Sequence, residues 1–477
     1  MTLSQHEDGL FSPRHRALTV GLVLVITLAA FEALAISTVM PVVVDDLGRL
    51  DLYGWVFTAF MLGSLIGIVV AGGLIDRRGL ALPFGVGLGL FAAGLLIGGL
   101  ATGMEMLIVA RFLQGLGGGA LVPIAYVAIG RSLPERLRPV MFATLSTAWV
   151  LPGVIGPAIA GVVGQFVGWR AVFLGLLPLL AVAALIAYPA IARIADHPAE
   201  DATDKAERAA AASLRRRLPL ALLVAAGTGL ALAGLGWPDP AVSVVLIVLG
   251  AILGIPALRR LTPPGTLRAA RGLPTAVLIR GVATFAFFAV DAYIALTLVE
   301  LRGLSVVEAG IALTAATVTW TTGSWIQARL SSRVPTERFV LVGMGVVTLG
   351  IASFMLVLDP AVPAWLAVPT VGIAGLGMGL AYAPMTLIVL RVAAPGEQGS
   401  ASSALSLSDS LGTALGTGMT GALVAGSVRA GEGPAPGLAL GFAVAAAVAL
   451  GGVALSLRLR PAQSHVARAV GPEATTA

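Results

Sequence analysis

The chain has 477 residues, of which 57% are hydrophobic and only 11% are charged, and its mean hydropathy is +0.96. This composition excludes a soluble globular domain and indicates a membrane protein almost from end to end. The formal charge is +6, but no basic stripe with interleaved aromatic residues occurs, which argues against a nucleic-acid partner. Because the chain has no cysteine, disulfides and thiolate metal sites are excluded as well.

The first long apolar stretch covers residues 17–44 and contains a single acidic side chain, Glu32. Its apolar length suits a membrane-spanning helix, which needs roughly 20 residues, and exceeds the h-region of a signal peptide. An ionised carboxylate near the middle of such a helix costs about 2.5–3.5 kcal/mol or more. A carboxylate that is kept there is paired, protonated or functional, and we interpret Glu32 as functional.

Apolar stretches of similar length recur as far as residue 457, separated by short connections, and predict fourteen membrane-spanning helices. Helices rather than barrel strands are indicated, because barrel strands need about 10 residues of alternating polarity. With the N-terminus inside, 24 basic residues fall on the cytoplasmic side and only 4 fall outside. We therefore predict a multi-pass protein of the cell (inner or plasma) membrane with both termini in the cytoplasm.

An internal repeat with an offset near 260 residues relates the two ends of the chain. Gly115-Leu116-Gly117 aligns with Gly375-Leu376-Gly377, and Glu32 falls opposite Asp291. We therefore predict an all-α membrane fold of two six-helix bundles in parallel repeat, with two linking helices between them that act as lipid-facing spacers. The predicted division is a cytoplasmic N-terminus (1–16), an N-terminal bundle (17–190), a cytoplasmic linker expected to form a surface helix (191–217), the linking membrane helices (218–262), a C-terminal bundle (274–458) and a cytoplasmic tail (459–477).

Four stretches of the chain carry short motifs. Their positions are Phe31–Pro41 in the first span, Gly72–Gly79 in the loop after the second span, Arg111–Gly117 in the fourth span and Pro152–Gly161 in the fifth span. They resemble the span 1, loop 2–3, span 4 and span 5 motifs of the major facilitator superfamily, and specifically of its fourteen-helix drug:proton antiporter branch. The resemblance implies two bundles that rock about a central site, which is transport by alternating access and not catalysis.

Charged residues inside the spans are the first candidates for function, because intramembrane acids are functional by default. Glu32, Asp291 and Asp409 are predicted to couple protons or to contact substrate. A structural ion pair between Glu32 and Arg111 is the alternative. The Arg111 guanidinium stays protonated, so it can modulate a neighbouring carboxylate but cannot itself carry the proton.

Asp409 lies about 11 residues, or roughly 16 Å of helix, into the thirteenth span. It is a second titrating group or an anion that faces the substrate, unless the neighbouring Ser406, Ser408 and Ser410 merely satisfy it. Arg280 is expected to lie nearer the cytoplasmic end of the ninth span and to snorkel to that interface.

Three further groups of site residues follow from the motifs and from the aromatic content of the spans. The loop motif predicts a conformational gate, with an ordinary solvated loop as the alternative, and its residues are Gly72, Asp76, Arg77 and Gly79. The span 5 antiporter motif permits close backbone approach and a bend, and its residues are Gly153, Gly156, Pro157 and Gly161. An apolar cavity for lipophilic or aromatic ligands has as candidates Phe31, Gln114, Trp149, Phe288, Tyr293, Trp320, Tyr382 and Met385.

No cofactor, metal site or catalytic residue is predicted. No glycine-rich loop precedes Lys205, the only lysine, so no Walker A motif exists and the proton gradient is the expected energy source. The four histidines lie outside the predicted spans, which excludes an intramembrane histidine relay.

The predicted function is a secondary active transporter, a monomer that exports hydrophobic or cationic compounds of the multidrug type in exchange for protons. Its expected partners are a small lipophilic substrate, protons and membrane lipids. Cations are favoured because deprotonated carboxylates attract positive charge in a low-dielectric cavity. Two alternatives stay open: a dedicated exporter of one lipid or secondary metabolite, and a membrane scaffold or sensor without transport.

Overall fold

The computed structural model describes residues 9–194, 204–393 and 398–459, and within these ranges every regular element is helical. The prediction of an all-α membrane protein is therefore confirmed. The long helices are α1 (Arg16–Leu47), α2 (Tyr53–Arg78), α3 (Ala81–Gly99), α4 (Met104–Ser132), α5 (Arg138–Phe166), α6 (Trp169–Ala192), α7 (Asp204–Leu235), α8 (Pro240–Leu261), α9 (Leu273–Asp291), α10 (Val306–Leu330), α11 (Thr336–Phe354), α12 (Ala367–Val392), α13 (Gln398–Arg429) and α14 (Ala435–Ser456).

In the described ranges, thirteen helices are long and apolar enough to cross a membrane. The long helix outside this set is α10, which has 25 residues and occupies the place of the tenth predicted span, 306–327. Its lower apolarity reflects several threonines, and Thr317, Thr319 and Thr321 each donate a hydrogen bond to a carbonyl one turn earlier in the same helix. Such bonds satisfy hydroxyl groups without water, so α10 suits the interior of the bundle.

The inserted pair α7 and α8 differs from the expected pair of lipid-facing spacers. Helix α8 is largely exposed, as expected, but α7 packs against both α2 and α13 and so covers the seam between the two halves. Leu214 near its start lies against Gly73, and Leu232 near its end lies against Gly418. The helix also begins at Asp204, so the described end of the predicted linker continues directly into α7.

The internal repeat is visible as one packing contact that occurs twice. In the N-terminal half, Gly115 of α4 lies directly against the carbonyl of Phe60 in α2. In the C-terminal half, Gly375 of α12 lies in the same way against the carbonyl of Ala316 in α10. A side chain at either glycine would overlap backbone, so this close approach explains why the Gly-Leu-Gly sequence recurs in both halves.

The two ends of the bundle are named here by the loops that they carry. The loop-1 end holds the connection between α1 and α2, and the loop-2 end holds the connection between α2 and α3. At the loop-1 end the halves are in contact: the Tyr53 hydroxyl donates to the Ala292 carbonyl at 2.9 Å, and the Tyr53 and Tyr293 rings lie 5.1 Å apart. Gly54 and Gly421 face each other there so closely that a Cβ on Gly54 would lie 2.8 Å from the Gly421 Cα. The loop-1 end is closed.

The ninth span is interrupted where it meets this contact. Helix α9 ends at Asp291 and the chain continues as one short helical turn, Ile294–Leu296, and a π-helical turn, Thr297–Leu301. Broken helices in membranes are tolerated where other protein groups satisfy the freed backbone, and π-turns often mark functional positions. Here the Tyr53 hydroxyl from the other half binds the Ala292 carbonyl directly after the break.

A substitution at Gly115 tests the packing between α2 and α4. We expect Gly115→Val to destabilise the folded chain by about 1–3 kcal/mol, because the side chain would overlap the backbone carbonyl of Phe60. Gly130→Ala in the same helix is the matched control, since nothing lies within 4 Å of a Cβ there. Thermal unfolding of purified protein in detergent measures both. Equal melting temperatures for the two variants would contradict the close approach.

Candidate functional site

The predicted Glu32 of α1 forms an ion pair with Arg111 of α4, and both side chains are removed from solvent, with exposed fractions of 1% and 3%. The guanidinium Nη1 of Arg111 donates to Glu32 Oε1 and, at 2.8 Å, to Gln114 Oε1. Its Nε donates to the Val56 carbonyl, and the group stacks over the Phe60 ring at 4.4 Å. The pairing that the sequence left as an alternative is therefore present in the structure.

The pair is only partly satisfied. The second carboxylate oxygen of Glu32 and the amide nitrogen of Gln114 are both buried without a hydrogen-bond partner in the described ranges. A buried polar atom without a partner is costly, commonly by about 1–3 kcal/mol. A proton on Glu32 or a rotated Gln114 amide would supply a donor at this position. The site can therefore change its bonding by moving one proton.

A second acid–arginine pair lies in the C-terminal half. Arg280 of α9 donates from Nε to Asp409 of α13 at 2.7 Å and from Nη1 to the Tyr382 carbonyl at 2.8 Å, and it stacks 3.0 Å from the Tyr382 ring centre. The Tyr382 hydroxyl donates to the other Asp409 oxygen at 3.1 Å. The expectation that Arg280 snorkels to the interface is wrong: it is buried, because the carboxylate and the carbonyl satisfy it within the bundle.

The serines beside Asp409 do not satisfy its carboxylate. Ser408 donates instead to the Val277 carbonyl at 2.7 Å, and Ser406 is exposed. The Asp409 side chain retains 29% of its exposure, against 1% for Glu32. The two pairs therefore differ in access: one is sealed, and the other can be reached by a ligand.

Asp291 makes no hydrogen bond or ion pair within the described ranges, although it was expected to mirror Glu32. It borders a small apolar hollow in the C-terminal half, between α9, α11 and α12, and Val371 lines the same hollow. The repeat offset of about 260 residues places Val371 opposite Arg111. The position that corresponds to Arg111 in the C-terminal half is therefore occupied by a valine, which cannot pair with Asp291.

The predicted cavity residues fall into two groups. Phe31, Phe288, Trp320 and Tyr382 are half-buried, and Trp149 is exposed. Gln114, Tyr293 and Met385 are buried, so they are not open to a cavity in this conformation.

The C-terminal half contains a row of aromatic rings, and one of its members is not among the cavity residues predicted from sequence. The row runs Phe288, Phe287, Trp320 and Tyr382, with successive ring centres 5.2, 5.3 and 5.2 Å apart. Phe287 is the member that was missed, and the only signal for it was its position next to Phe288. The row ends at Asp409, which bonds to the Tyr382 hydroxyl.

The span 5 motif lies on the seam between the halves, where α5 meets α10. Gly153 lies against the Thr317 side chain, and a Cβ on Gly161 would lie 3.1 Å from the Val306 carbonyl. The Pro157 carbonyl in turn approaches Gly310, where a Cβ would lie 2.8 Å from it. Gly156 faces the Phe31 ring, with 3.4 Å available to a Cβ. The predicted close backbone approach is therefore present, and it joins the two halves.

The loop-2 motif is described in part. Gly79 ends α2 with a positive φ of 68°, a conformation that favours glycine. Gly72 is exposed and has open space around it. The side chains of Asp76 and Arg77 lie outside the described residues, so the gate hypothesis stays a prediction.

Comparison with solved structures shows the fold. The chain superposes on the D-xylose-proton symporter with a TM-score of 0.68 and 12% identity, over 93% of this chain and 98% of that one. The auto-inhibited POT family peptide transporter gives a TM-score of 0.65 and 17% identity, over 92% and 97% of the two chains.

Comparison with known proteins gives similar results at the level of sequence. The methylenomycin A resistance protein of Streptomyces coelicolor is 27% identical over 75% of each chain, and the multidrug efflux pump SdrM of Staphylococcus aureus is 23% identical over 85% of this chain and 89% of that pump. The multidrug transporter protein MdtP of Bacillus subtilis is 33% identical, but the match spans only 37% of this chain and 32% of that protein.

The sequence profile of the Major Facilitator Superfamily matches residues 22–417. This range begins in α1 and ends in α13, so it takes in both acid–arginine pairs and the seams between the two halves. The chain therefore belongs to the Major Facilitator Superfamily.

Proposed function

We propose that the chain is a secondary active transporter that exports lipophilic, preferentially cationic, compounds in exchange for protons by alternating access. One observation carries this proposal: the sealed carboxylate of Glu32 pairs with Arg111 through one oxygen, while its other oxygen is buried without a hydrogen-bond partner in the described ranges. A group with 1% exposure is accessible to a proton but not to an organic substrate. The names of the relatives, which include multidrug efflux proteins, support export.

Proton movement at Glu32 changes the charge balance of the N-terminal half. When Glu32 takes a proton, the ion pair loses one partner and the Arg111 charge is left without its carboxylate. Arginine stays charged, so the guanidinium must find other acceptors, and breaking a buried pair is costly. Such a change favours a rearrangement of α1 against α4. The proton and the substrate then prefer different conformations, which is what coupling requires.

Substrate binding is assigned to the C-terminal pair. Asp409 is partly accessible, and it stands at the end of the aromatic row that includes Trp320 and Tyr382. A carboxylate beside aromatic faces suits a lipophilic cation, since the ring faces and the negative charge both attract positive charge. In this assignment Glu32 carries the proton and Asp409 faces the substrate.

The closed loop-1 end gives the conformation. The excess of basic residues at loop-2 positions supports a cytoplasmic loop-2 end, with both termini in the cytoplasm and the chain in the cell membrane. The conformation is then closed to the outside, with the extracellular end sealed by the contact between Tyr53 and Ala292. The proton gradient supplies the energy without a bound cofactor, and each proton that crosses 100 mV contributes about 2.3 kcal/mol.

A second candidate function is the export of one particular compound. It is favoured by the relative that is similar over 75% of both chains, because its name refers to a single antibiotic. An efflux assay with a panel of unrelated lipophilic cations separates the two functions. Export of several of these cations supports multidrug export. Export of none of them, together with export of one compound of another kind, supports a dedicated exporter.

Replacing Glu32 tests whether its carboxyl group carries the proton. We expect Glu32→Gln to lose pH-gradient-driven efflux by at least about tenfold, because glutamine cannot exchange a proton, while folding is retained. Efflux of a fluorescent lipophilic cation in inverted vesicles with an imposed pH gradient measures it.

The matched control for this experiment is Asp46→Asn, in the same helix as Glu32. Asp46 also pairs with an arginine, Arg170, but its side chain is 46% exposed at the surface, so efflux should equal that of the wild type. Full gradient-driven transport by Glu32→Gln would show that the proton travels elsewhere.

Replacing Asp409 tests whether its carboxylate attracts a cationic substrate. We expect Asp409→Asn to weaken binding of tetraphenylphosphonium about tenfold and to leave binding of a neutral lipophilic compound nearly unchanged, because only the cation uses the carboxylate charge. Equilibrium binding to purified protein measures both ligands. Asp359→Asn, at an exposed turn, is the control. An equal loss for the cation and the neutral compound would contradict a charge-selective role.

A further inference from the structure

A cavity of about 390 Å³ lies at the loop-1 end, away from both acid–arginine pairs. Three units of the chain form its walls: the start of the second span (Arg49–Trp55), the end of α7 (Leu232–Pro238) and the end of α13 (Gly418–Arg429). We call it the loop-1 cavity. Its volume falls in the range of about 300–1,000 Å³ that is usual for ligand sites.

One arginine of the loop-1 cavity has no acidic partner within the described ranges. Arg49 binds both carboxylate oxygens of Asp51, at 3.0 and 3.1 Å, and also Glu105 at 2.5 Å. Asp51 is therefore fully engaged. Arg429 lines the same cavity, is exposed, and makes no hydrogen bond or ion pair in the described ranges. The cavity thus retains one positive charge without a partner.

The other polar groups of the loop-1 cavity are also donors. Trp55 and Trp237 line it, and neither indole N–H has a hydrogen-bond partner within the described part of the chain. An indole can donate but cannot accept. Together with the free guanidinium of Arg429, these groups call for a ligand with several acceptor oxygens and a negative charge, which describes a phosphate ester.

The depth of the loop-1 cavity favours a lipid as the source of that phosphate. The cavity lies at the ends of α7 and α13 and at the start of α2, at the level where membrane helices meet the headgroups. Tryptophan is enriched at this level, and a guanidinium there can form charge-assisted hydrogen bonds with a lipid phosphate.

The backbone of Arg49 has an uncommon conformation at the edge of the loop-1 cavity. Arg49 has φ 58°, one of two positive values outside glycine in the described ranges. This conformation is uncommon for a side-chain-bearing residue and persists only where its surroundings enforce it. The ion pairs with Asp51 and Glu105 hold the residue there, at the edge of the cavity. A helix dipole alone would explain Arg429 at the end of α13, but not this convergence of groups.

We infer that the loop-1 cavity binds the phosphate headgroup of an anionic phospholipid. The ligand would contact the N-terminal half, α7 and the C-terminal half at once, at the end where Gly54 and Gly421 hold the halves together. Opening of that end would separate the walls of the site. The bound lipid therefore favours the closed loop-1 end, since a ligand stabilises the state to which it binds more tightly.

The test measures lipid binding without any gradient or transport, so it stands apart from the proposed function. The purified full chain is titrated with phosphatidylglycerol and with phosphatidylcholine, and bound lipid is counted by native mass spectrometry. We expect a preference for phosphatidylglycerol that Arg429→Gln weakens about tenfold, because one charge-assisted contact is lost. Arg170→Gln is the control. Arg170 lies at the same end of the bundle, but it pairs with Asp46 and does not line the cavity.

Trp237→Phe is the second variant, and it removes a donor while keeping an aromatic ring. It should weaken phosphatidylglycerol binding in the same direction, and it decides the question if Arg429→Gln does not fold. Equal affinities for the two lipids, or an unchanged affinity in both variants, would overturn the inference. Competition by inorganic phosphate at the same concentration as the lipid would also overturn it, because the site would then take a free anion.

Discussion

A charge inside a membrane-spanning helix must have a partner, and this constraint determines the centre of the structure. Each half meets it with an arginine and a carboxylate from different helices: Arg111 with Glu32, and Arg280 with Asp409. Each guanidinium also stacks on an aromatic ring and donates to a backbone carbonyl. The surrounding packing fixes which helices approach closely enough for these pairs to form.

The difference in access between the pairs gives them different chemistry. A sealed pair can respond only to a proton, whereas a partly open pair beside aromatic rings can respond to an organic cation. Coupling then requires that a change at one pair alter the preferred position of the helices at the other. The seams provide the physical connection, because α5 meets α10 through small residues and α7 bridges α2 and α13. In the proposed mechanism, both seams shift when the halves move relative to each other.

The fold could be predicted from sequence to a large extent, because membrane helices reveal themselves by apolar length and the repeat fixes their grouping. The pair of Glu32 with Arg111 was also within reach, since few charges lie inside the spans. Arg280 was misjudged, because its partner Asp409 is 129 residues away and only the packing of α9 against α13 brings them together. Asp291 shows the opposite case: the repeat predicted its position opposite Glu32, but the position opposite Arg111 holds Val371, which cannot pair with a carboxylate.

In the proposed mechanism, Glu32 exchanges the proton that substrate binding displaces. The most direct measurement is the proton release on addition of tetraphenylphosphonium to purified protein in weakly buffered detergent, for the wild type and for Glu32→Gln at equal substrate occupancy. We expect the wild type to release protons when it binds the cation, and we expect Glu32→Gln to bind the cation without releasing them. Equal release from both proteins would contradict it.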